Sequence, residues 1–392
     1  MQLFSFSFLI AAGAVLVHLY LYLRLVRPAV ASVRWRRALG GVLVAMTTLL
    51  SLRRSVRELG DAIADAYALV AYGWIALGVC LASAVLVGDL VRLMAGLAAR
   101  FSRARRASSD RAEHDPARRR FLSHALHVGV ATGGALTTGY GVFRAFTPPE
   151  ITEVAVRVPK LPRALDGLTI VQLTDVHVGP LIGRKFIDQL VAEANALRPD
   201  LVAITGDLVD GDVARLGGAV AGLGNLRSRY GSFFVTGNHE YYSGDEEWAR
   251  FLERIGVEVL RNRRVSIGDA GASIDLIGVD DWSGGHRRGR PGYDLDRALE
   301  GRDPDRAAIL LAHQPANFEV AAGRGVDLQI SGHTHGGQLF PMTLLIHTAF
   351  EHVRGLYRHE DAHLYVSRGC GFWGPPARVG SAPEIVKLTL TA

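Results

Sequence analysis

The sequence predicts an α/β domain built from two packed sheets, preceded by a bundle of about four transmembrane helices. Two observations support this prediction. Long uncharged apolar runs are confined to residues 1–150 of the 392, and from Leu168 onward strand-like and helix-like segments alternate before the sequence becomes rich in strands. Such an order is typical of a parallel α/β sheet on which a second sheet packs.

The N-terminal part contains four runs suited to crossing a bilayer, and a buried core helix is the alternative for each. The runs cover residues 3–23, 38–52, 66–88 and 121–143. The second run has 15 residues, fewer than the roughly 20 that a helical span needs, so its assignment decides the topology. We predict a transmembrane region over residues 1–146.

Arginines predict the orientation of these runs. The stretch after the first run carries five arginines and the stretch after the third carries nine, and the positive-inside rule places both in the cytoplasm. With four spans we expect a multi-pass protein of the cell membrane whose C-terminal domain is extracytoplasmic. The segment "RRRFLS" (118–123) is either one of these positive anchors or resembles a twin-arginine export signal. Pro148 and Pro149 indicate a stiff linker that leads, with a first strand, to residue 165.

Charge and cysteine usage exclude several classes of protein. Residues 1–150 carry a net charge of +10 and residues 151–392 one of −4. The overall charge of +6 therefore belongs to the N-terminal part, and no nucleic-acid partner is expected. The two cysteines, Cys80 and Cys370, are too few for a disulfide framework or a Cys-based zinc site.

The C-terminal part, 166–392, is predicted as one α/β domain. Three strand–helix pairs come first: "LTIVQLTDVH" with "RKFIDQLVAEANALR", "DLVAITGDLVD" with 212–228, and "SFFVTGNHE" with 245–255. The helical segments show apolar periodicity. Strand-like segments then follow one another: "VEVL", "SIDLIGVDD", "AAILLAHQP", "VDLQISGHTH", "HLYVSRG" and "IVKLTLT".

Metal-capable side chains stand at the ends of five of these strands. In chain order they are Asp175, His177, Asp207, Asp210, Asn238, His239, His313, His333 and His335. Each alone has an ordinary alternative as a turn aspartate or a polar-loop histidine. Sites in open α/β sheets form at the carboxyl ends of strands, so the coincidence predicts one common site. In "SGHTHGGQ" (331–338), an extended backbone would point both histidines to the same side.

The donor types indicate the chemistry. Carboxylate, amide and imidazole donors without thiolate suit Mn, Fe, Zn or similar divalent ions rather than a structural zinc. A set of seven such donors, made of two aspartates, one asparagine and four histidines, exceeds the needs of one tetrahedral ion. They fit two ions that share a carboxylate, as in two-metal hydrolases.

The ordered motifs "DVH", "GDLVD", "GNHE", "AHQP" and "GHTH" resemble the calcineurin-like metallophosphoesterase superfamily. The tail "GGQ…LYVSRGCGFWGPPARVGSAPEI", together with the N-terminal runs, resembles its bacterial membrane-associated branch. The resemblance covers about 150–392. It implies a metallophosphoesterase-type αββα sandwich of two mixed sheets flanked by helices, which hydrolyses phosphoester or phosphoanhydride bonds by attack of a metal-bound hydroxide.

The resemblance also implies roles for the motif residues. Asp175, His177 and His335 would hold one divalent metal, and Asn238, His313 and His333 the other. Asp207 would bridge the two. His239 would contact the phosphate and protonate the leaving oxygen, and Asp210 would orient His239. Because the full set is present, we expect an active enzyme with a dinuclear metal centre.

Two segments bear on the substrate. The loop "WSGGHRRGRPG" (282–292) is either solvated or binds a second phosphate through Arg287, Arg288 and Arg290. The apolar "FPMTLLIHTAF" (340–350) is either core or a lip for an acyl chain or the bilayer. We expect a phosphorylated small molecule or a lipid-linked envelope compound as substrate.

Three alternative functions accompany the leading one. Some related sequences are described as UDP-2,3-diacylglucosamine pyrophosphatases of lipid A metabolism, but that reaction is cytoplasmic and conflicts with the predicted topology. A non-catalytic metal-binding membrane sensor is a second alternative. A transporter is disfavoured because His18, His124 and His127 are the main polar candidates within the spans.

Overall fold

The apolar runs of the N-terminal part lie in long helices. The computed structural model describes residues 2–52, 56, 59–105, 116–269, 271–285 and 292–392. Within these residues the long helices are α1 (Gln2–Leu21), α2 (Val33–Ser51), α3 (Asp61–Arg105) and α4 (Pro116–Phe146). After α1 a π-helical turn, Tyr22–Val26, and a short helix, Arg27–Ala29, continue the chain. The chain divides into two compact units, Met1–Val142 and Phe143–Ala392.

One segment of the described helices, Asp61–Phe101, is long and apolar enough to cross a membrane, and an 18-residue window within it has a mean hydropathy of 2.1. It contains the predicted run 66–88. By contrast, α2 carries three arginines within its first five residues, because the helix begins ahead of the apolar run. The spans predicted at 3–23, 38–52 and 121–143, and therefore the bundle of four, stay predictions.

His18 joins three helices of the first unit. Trp74 Nε1 on α3 donates to Nε2 of this histidine at 2.9 Å, and its Nδ1 lies 2.6 Å from Thr47 Oγ1 on α2. Both ring nitrogens of the buried side chain are therefore satisfied within helix packing. This arrangement favours a structural role over the transport role that polar groups in apolar helices otherwise indicate.

The unit Phe143–Ala392 contains two sheets and short helices. Its described strands are β1 (Glu150–Arg157), β2 (Thr169–Leu173), β3 (Leu201–Thr205), β4 (Ser232–Val235), β5 (Val257–Val259), β6 (Arg263–Asp269), β7 (Ala272–Gly278), β8 (Ala308–Leu311), β9 (Leu328–Ser331), β10 (Gly355–His359), β11 (Ala362–Val366) and β12 (Glu384–Thr391). Its described helices are α5 (Arg184–Ala196), α6 (Val213–Val220), α7 (Asn238–Ser243), α8 (Asp245–Arg254), α9 (Trp282–Gly285), α10 (Leu295–Leu299), α11 (Phe318–Gly323) and α12 (Met342–Leu345).

Each sheet has six strands of mixed direction. The first has the order β1-β12-β2-β3-β4-β5, in which β2 to β5 are parallel and β12 runs antiparallel to β2. The second has the order β10-β11-β9-β8-β7-β6, in which β11, β9, β8 and β7 are parallel. The prediction of two mixed sheets is confirmed.

Alternating side chains place the first sheet between two cores. In β3, Leu201 and Ala203 pack with residues of the second sheet, including Ile309 and Ile330. Val202 and Ile204 face the other way and pack against α5, α6 and α8. This period of two is expected for strands buried on both faces. The second sheet buries its outer face against α10 and α11, so the layers run helix, sheet, sheet, helix.

Local structure differs from the sequence prediction in three places. The segment after β4 is a short helix, α7, that begins at Asn238, whereas the sequence suggested only a strand end. The predicted helix 212–228 is α6 followed by a 3₁₀ turn at Ala221–Asn225. Strands β6 and β10 were not predicted. Both pair antiparallel at the outer edges of the second sheet, where alternation is less regular.

Candidate metal centre

The predicted donor residues meet at one edge of the sandwich. β2, β3 and β4 of the first sheet and β8 and β9 of the second are parallel within their sheets, and each is followed directly by donors. The carboxyl ends of these five strands therefore converge. The structure brings eight of the nine predicted residues together in groups whose ligand atoms lie within 4.8 Å of one another, and it places the ninth, Asn238, next to His239 at the start of α7.

Strained backbone marks this edge. Five donors have positive φ angles: Asp175 (52°), His177 (54°), Asp207 (51°), His333 (72°) and His335 (51°). Residues other than glycine adopt this region seldom, and each instance costs on the order of 1 kcal/mol or more. The backbone at His333 and His335 is not extended, so the two rings are not placed on the same side by strand alternation. The chain turns at both residues, so their rings reach different groups of donors.

The first group consists of Asp175, His177 and His335, which offer ligand atoms that all lie within 4.8 Å of one another. The Nε2 atoms of the two histidines are 3.1 Å apart, and His335 Nε2 is 3.4 Å from Asp175 Oδ1. All three side chains are buried. Three donors directed at one point, without thiolate, suit a divalent cation of the Mn, Fe or Zn type.

The second group consists of Asp207, His313 and His333. His313 Nε2 lies 3.1 Å from His333 Nδ1 and 3.3 Å from Asp207 Oδ2. Asn238 follows the turn at the end of β4. Its Oδ1 is buried, and no described atom donates a hydrogen bond to it. A buried acceptor without a partner is costly, and a cation is the partner that the neighbouring donors suit.

Asp207 lies between the two groups. Its Oδ2 is 3.3 Å from His313 Nε2 on one side and 3.8 Å from His177 Nε2 on the other. The carboxylate is buried and also accepts the backbone N–H of His239 at 2.8 Å. Gly237 must be glycine here, because a Cβ on it would lie 2.2 Å from Asp207 Oδ1. The position suits a carboxylate shared by two ions.

His239 and Asp210 form a close pair beside the first group. His239 Nδ1 is 2.5 Å from Asp210 Oδ1, which also lies 3.1 Å from His177 Nδ1. Burial opposes protonation, but Asp207 and Asp210 outweigh it and raise the pKa of His239 to about 9. The same contacts hold the pKa of Asp210 well below its usual range, although burial acts in the opposite direction. The two carboxylates therefore favour the protonated form of the His239 ring.

The imidazoles of His333 and His335 are in the neutral form that binds metals. Burial and the neighbouring His313 lower the pKa of His333 to about 3. Burial and the guanidinium of Arg378 lower the pKa of His335 well below its usual range. Neutral imidazole is the metal-binding form, so these two rings are prepared for a cation.

Glu240 fixes the backbone of the bridging residue. Its buried carboxylate accepts hydrogen bonds from the backbone N–H groups of Gly237 (2.6 Å), Asp207 (3.0 Å) and Leu208 (2.8 Å). It thereby connects the turn after β3 to the start of α7. Burial, followed by the charge of Asp207, raises the pKa of Glu240 to about 7.

The segment 367–381 clamps the loop that carries His335. Arg378 is 1% exposed and donates to the carbonyls of His335, at 3.1 Å, and of Gly371, and its guanidinium lies 3.1 Å from His335 Nδ1. Ser381 Oγ donates to the same His335 carbonyl at 2.6 Å. Both polar atoms of the Gln338 amide bond to the segment 367–381. The oxygen accepts from the backbone N–H of Trp373, and the nitrogen donates to the carbonyls of Trp373 and Pro375.

Replacing Arg378 by methionine is expected to weaken metal binding about 10- to 100-fold, the range for partners that orient metal ligands. The physical reason is that the carbonyls of His335 and Gly371 and the ring nitrogen of His335 lose their contact with the guanidinium group. Isothermal titration of the metal-free full chain with Mn²⁺ measures the change. Arg354→Met is the control, because Arg354 is exposed and donates to Gly380 in the same region. Equal affinities for the two variants would contradict this role.

Predicted substrate residues have different outcomes. Arg287, Arg288 and Arg290 lie outside the described residues. In the segment 340–350, α12 buries Thr343 but leaves the side chains of Met342, Leu344 and Leu345 47%, 64% and 52% exposed. The helix is therefore not part of the core, and the interpretation of the segment as an apolar lip stays a prediction.

Several contributors to the site escaped the sequence reasoning. They are Glu240, Gln338, Arg378, Ser381 and the aromatic residues Tyr242, Phe350 and Trp373. The rings of Tyr242 and Trp373 contact His239, and the ring of Phe350 contacts His333. The tail motif signalled that residues after "GGQ" mattered, but nothing in it indicated which side chains reach the metal loop.

Comparisons with known proteins agree with this geometry. Residues 168–337 match the family model described as calcineurin-like phosphoesterase. A Bos taurus protein described as a transmembrane protein with metallophosphoesterase domain is 42% identical over 290 residues, covering 71% of this chain and 64% of that protein. A Helicobacter pylori metallophosphoesterase is 38% identical over 279 residues, covering 70% of this chain and 73% of that protein.

A Bacillus subtilis protein described as metallophosphoesterase YkuE is 32% identical over 287 residues, which cover 70% of this chain and 97% of that protein. This chain thus spans nearly the whole length of the Bacillus protein and just under two thirds of the bovine one.

Proposed function

Because the chain belongs to the metallophosphoesterase family, whose members hydrolyse phosphoesters with divalent metals, we propose that it is a dinuclear enzyme acting on a phosphoester or pyrophosphate bond. One observation carries the proposal. Asp207 of the second group also lies next to the first, because its Oδ2 is 3.3 Å from His313 Nε2 and 3.8 Å from His177 Nε2. A protonated histidine, His239, lies beside them.

The chain's own residues have separate tasks in this reaction. Asp175, His177 and His335 would hold one ion, Asn238, His313 and His333 would hold the other, and Asp207 would be shared between them. Bound there, divalent ions would lower the pKa of a water molecule and neutralise charge on the phosphoryl oxygens. The surrounding backbone is already turned into place, so little reorganisation accompanies the reaction.

His239 supplies the proton. Its Nδ1 is bonded to Asp210, which leaves Nε2 to face the substrate. Its side chain is 15% exposed, compared with 1% for His177, so it reaches the site from the solvent side. Protonation of the departing oxygen is the general-acid task that such a histidine performs. Asp210 keeps the ring oriented and charged.

We propose that the enzyme is held in the membrane and acts on a lipid-linked or envelope substrate. The helix segment Asp61–Phe101 and the transmembrane description of the bovine relative support the anchor. The exposed apolar side chains of α12, which packs against Gly337 of the metal loop, support an apolar substrate or a bilayer contact. A tethered enzyme meets such substrates at high effective concentration.

A multi-pass topology with an extracytoplasmic catalytic unit is part of this proposal, since it follows from the two arginine-rich stretches. A reporter that is active only outside the cytoplasm, fused after residue 392, is expected to be active. A cytoplasmic reporter fused at the same residue is expected to be active instead if the second run does not span.

The experiment that tests the function uses the full chain in detergent. The metal-free protein is expected to be inactive on bis-p-nitrophenyl phosphate and to regain activity with Mn²⁺, Fe²⁺ or Zn²⁺. A panel of phospholipids and lipid-linked diphosphates is then compared with soluble nucleotides. Activity on nucleotides alone would overturn the lipid substrate. Specific cleavage of UDP-2,3-diacylglucosamine would favour the pyrophosphatase alternative, and metal binding without any turnover would favour a sensor.

A further inference from the structure

Two exposed aromatic side chains flank His239. The ring of Tyr242 lies 5.5 Å from the His239 ring at an interplanar angle of 75°, and that of Trp373 lies 5.8 Å away at 79°. Both contacts are edge-to-face. Tyr242 is 62% exposed and Trp373 is 46% exposed, so both also present apolar surface to solvent at the mouth of the site.

The backbone of Trp373 is held in place by neighbouring residues. Gln338 accepts a hydrogen bond from the backbone N–H of Trp373 at 2.9 Å and donates to its carbonyl at 3.0 Å. Gly371, two residues earlier, packs so closely that a Cβ on it would lie 2.1 Å from the carbonyl oxygen of Val176. A large aromatic residue fixed in an exposed position loses little further freedom when a ligand covers it.

The position of His239 determines which part of a substrate these rings meet. A proton donor must come within hydrogen-bond distance of the oxygen that departs. The atoms attached to that oxygen must then lie beside His239, which is where Tyr242 and Trp373 lie. The other substituents of the phosphorus point toward the metal donors or away from them.

We propose that Tyr242 and Trp373 bind the leaving group of the substrate, and that this leaving group carries an apolar body, either a hydrocarbon chain or an aromatic ring. The inference rests on the proposed function, because it takes His239 as the residue that protonates the departing oxygen. It adds a direction to that function. The apolar part of the substrate leaves as the alcohol, and the part that stays on phosphorus lies on the side of the metal donors.

Isomeric phosphonate monoesters separate the two directions. Benzyl methylphosphonate and methyl benzylphosphonate contain the same atoms, but the ring belongs to the leaving alcohol in the first and stays on phosphorus in the second. Water supplies the new P–OH group and the proton of the alcohol, and the P–C bond stays intact. The full chain with Mn²⁺ is assayed on both by phosphorus NMR. A matching pair with octyl in place of benzyl distinguishes a chain from a ring.

Trp373→Ala is expected to lower kcat/KM for benzyl methylphosphonate or its octyl counterpart by about tenfold, and to change the rate on the isomer less than about twofold. Intrinsic differences between the esters cancel, because each variant is compared with the wild type on the same compound. Tyr242→Ala acts in the same direction, and Trp373→Phe retains part of the preference. Tyr230→Ala, at the other end of β4, is the control with an unchanged isomer ratio.

The possible outcomes distinguish failure of this inference from failure of the proposed function on which it rests. A wild type without metal-dependent cleavage of any ester would refute the proposed function and this inference with it. An active wild type whose Trp373→Ala variant loses both isomers equally would refute the inference alone. A stronger loss on methyl benzylphosphonate would place the rings against the group that stays on phosphorus, and would also refute it.

Discussion

Asp207→Asn is expected to remove bound metal and to lower kcat by at least about 10³-fold, the scale of losing an essential charge-stabilising group. The substitution keeps the shape of the side chain but removes the negative charge that lies between His313 and His177. An amide also brings an N–H₂ group toward ring nitrogens that a cation would occupy. Metal content per chain, measured by mass spectrometry, should fall together with the rate.

Asp212→Asn is the matched control for this variant. Asp212 caps α6 by accepting the backbone N–H of Arg215 at 3.0 Å, and asparagine caps helices about as well as aspartate. Metal content and rate should therefore be unchanged. An Asp207→Asn protein that keeps two ions per chain would contradict the bridging role, even if its rate were low.

His239→Asn is expected to keep the metal but to lower kcat by about 10²- to 10⁴-fold on esters with alkoxide leaving groups, the usual contribution of a general acid. Asparagine can still donate toward Asp210 from the position of Nδ1, whereas it has no proton to give from the position of Nε2. The loss should be much smaller for p-nitrophenyl esters, since p-nitrophenolate departs readily without a proton.

This dependence on the leaving group distinguishes His239 from the metal donors. Asp207→Asn should lower the rates on alkyl and p-nitrophenyl esters alike, because both reactions need the metals. Loss of metal from the His239→Asn protein, or an equal loss on both kinds of ester, would show that His239 acts as a ligand. That outcome would fit the third donor group, in which His177, Asp210 and His239 lie within 4.8 Å.

The position of the candidate site was predictable because its signal is local. A donor that follows a buried parallel strand must lie at the carboxyl edge of the sheet, so Asp175, Asp207 and His313 could be placed from their own strands. The order of the motifs, through the family resemblance, then indicated the role of each residue. The two-sheet architecture followed in the same way from alternation and strand content.

The contacts that hold the site in shape were not predictable, because they connect distant segments without periodicity. Arg378 reaches His335 across 43 positions of the sequence, and Gln338 reaches Trp373 across 35. Aspartate and histidine adopt positive φ angles more often than most residues other than glycine, but which of them do so depends on tertiary contacts that the sequence does not show. The prediction of membrane spans was limited for a different reason. Arginines at the start of α2 shorten its apolar stretch, and composition alone does not fix where such a helix lies.

Strand β12 occupies an interior place in the first sheet, with β1 on one side and β2 on the other. During synthesis, every metal donor has therefore been made before the strand that closes the sheet, and Arg378 also follows them all. A nascent chain that ends at residue 340 holds the complete donor set but not the scaffold that orients it. Assembly of the catalytic centre is consequently a late event in biogenesis. We therefore expect activity only after β12 has been made and folded, and until then β1 and β2 expose apolar surfaces that are prone to aggregation.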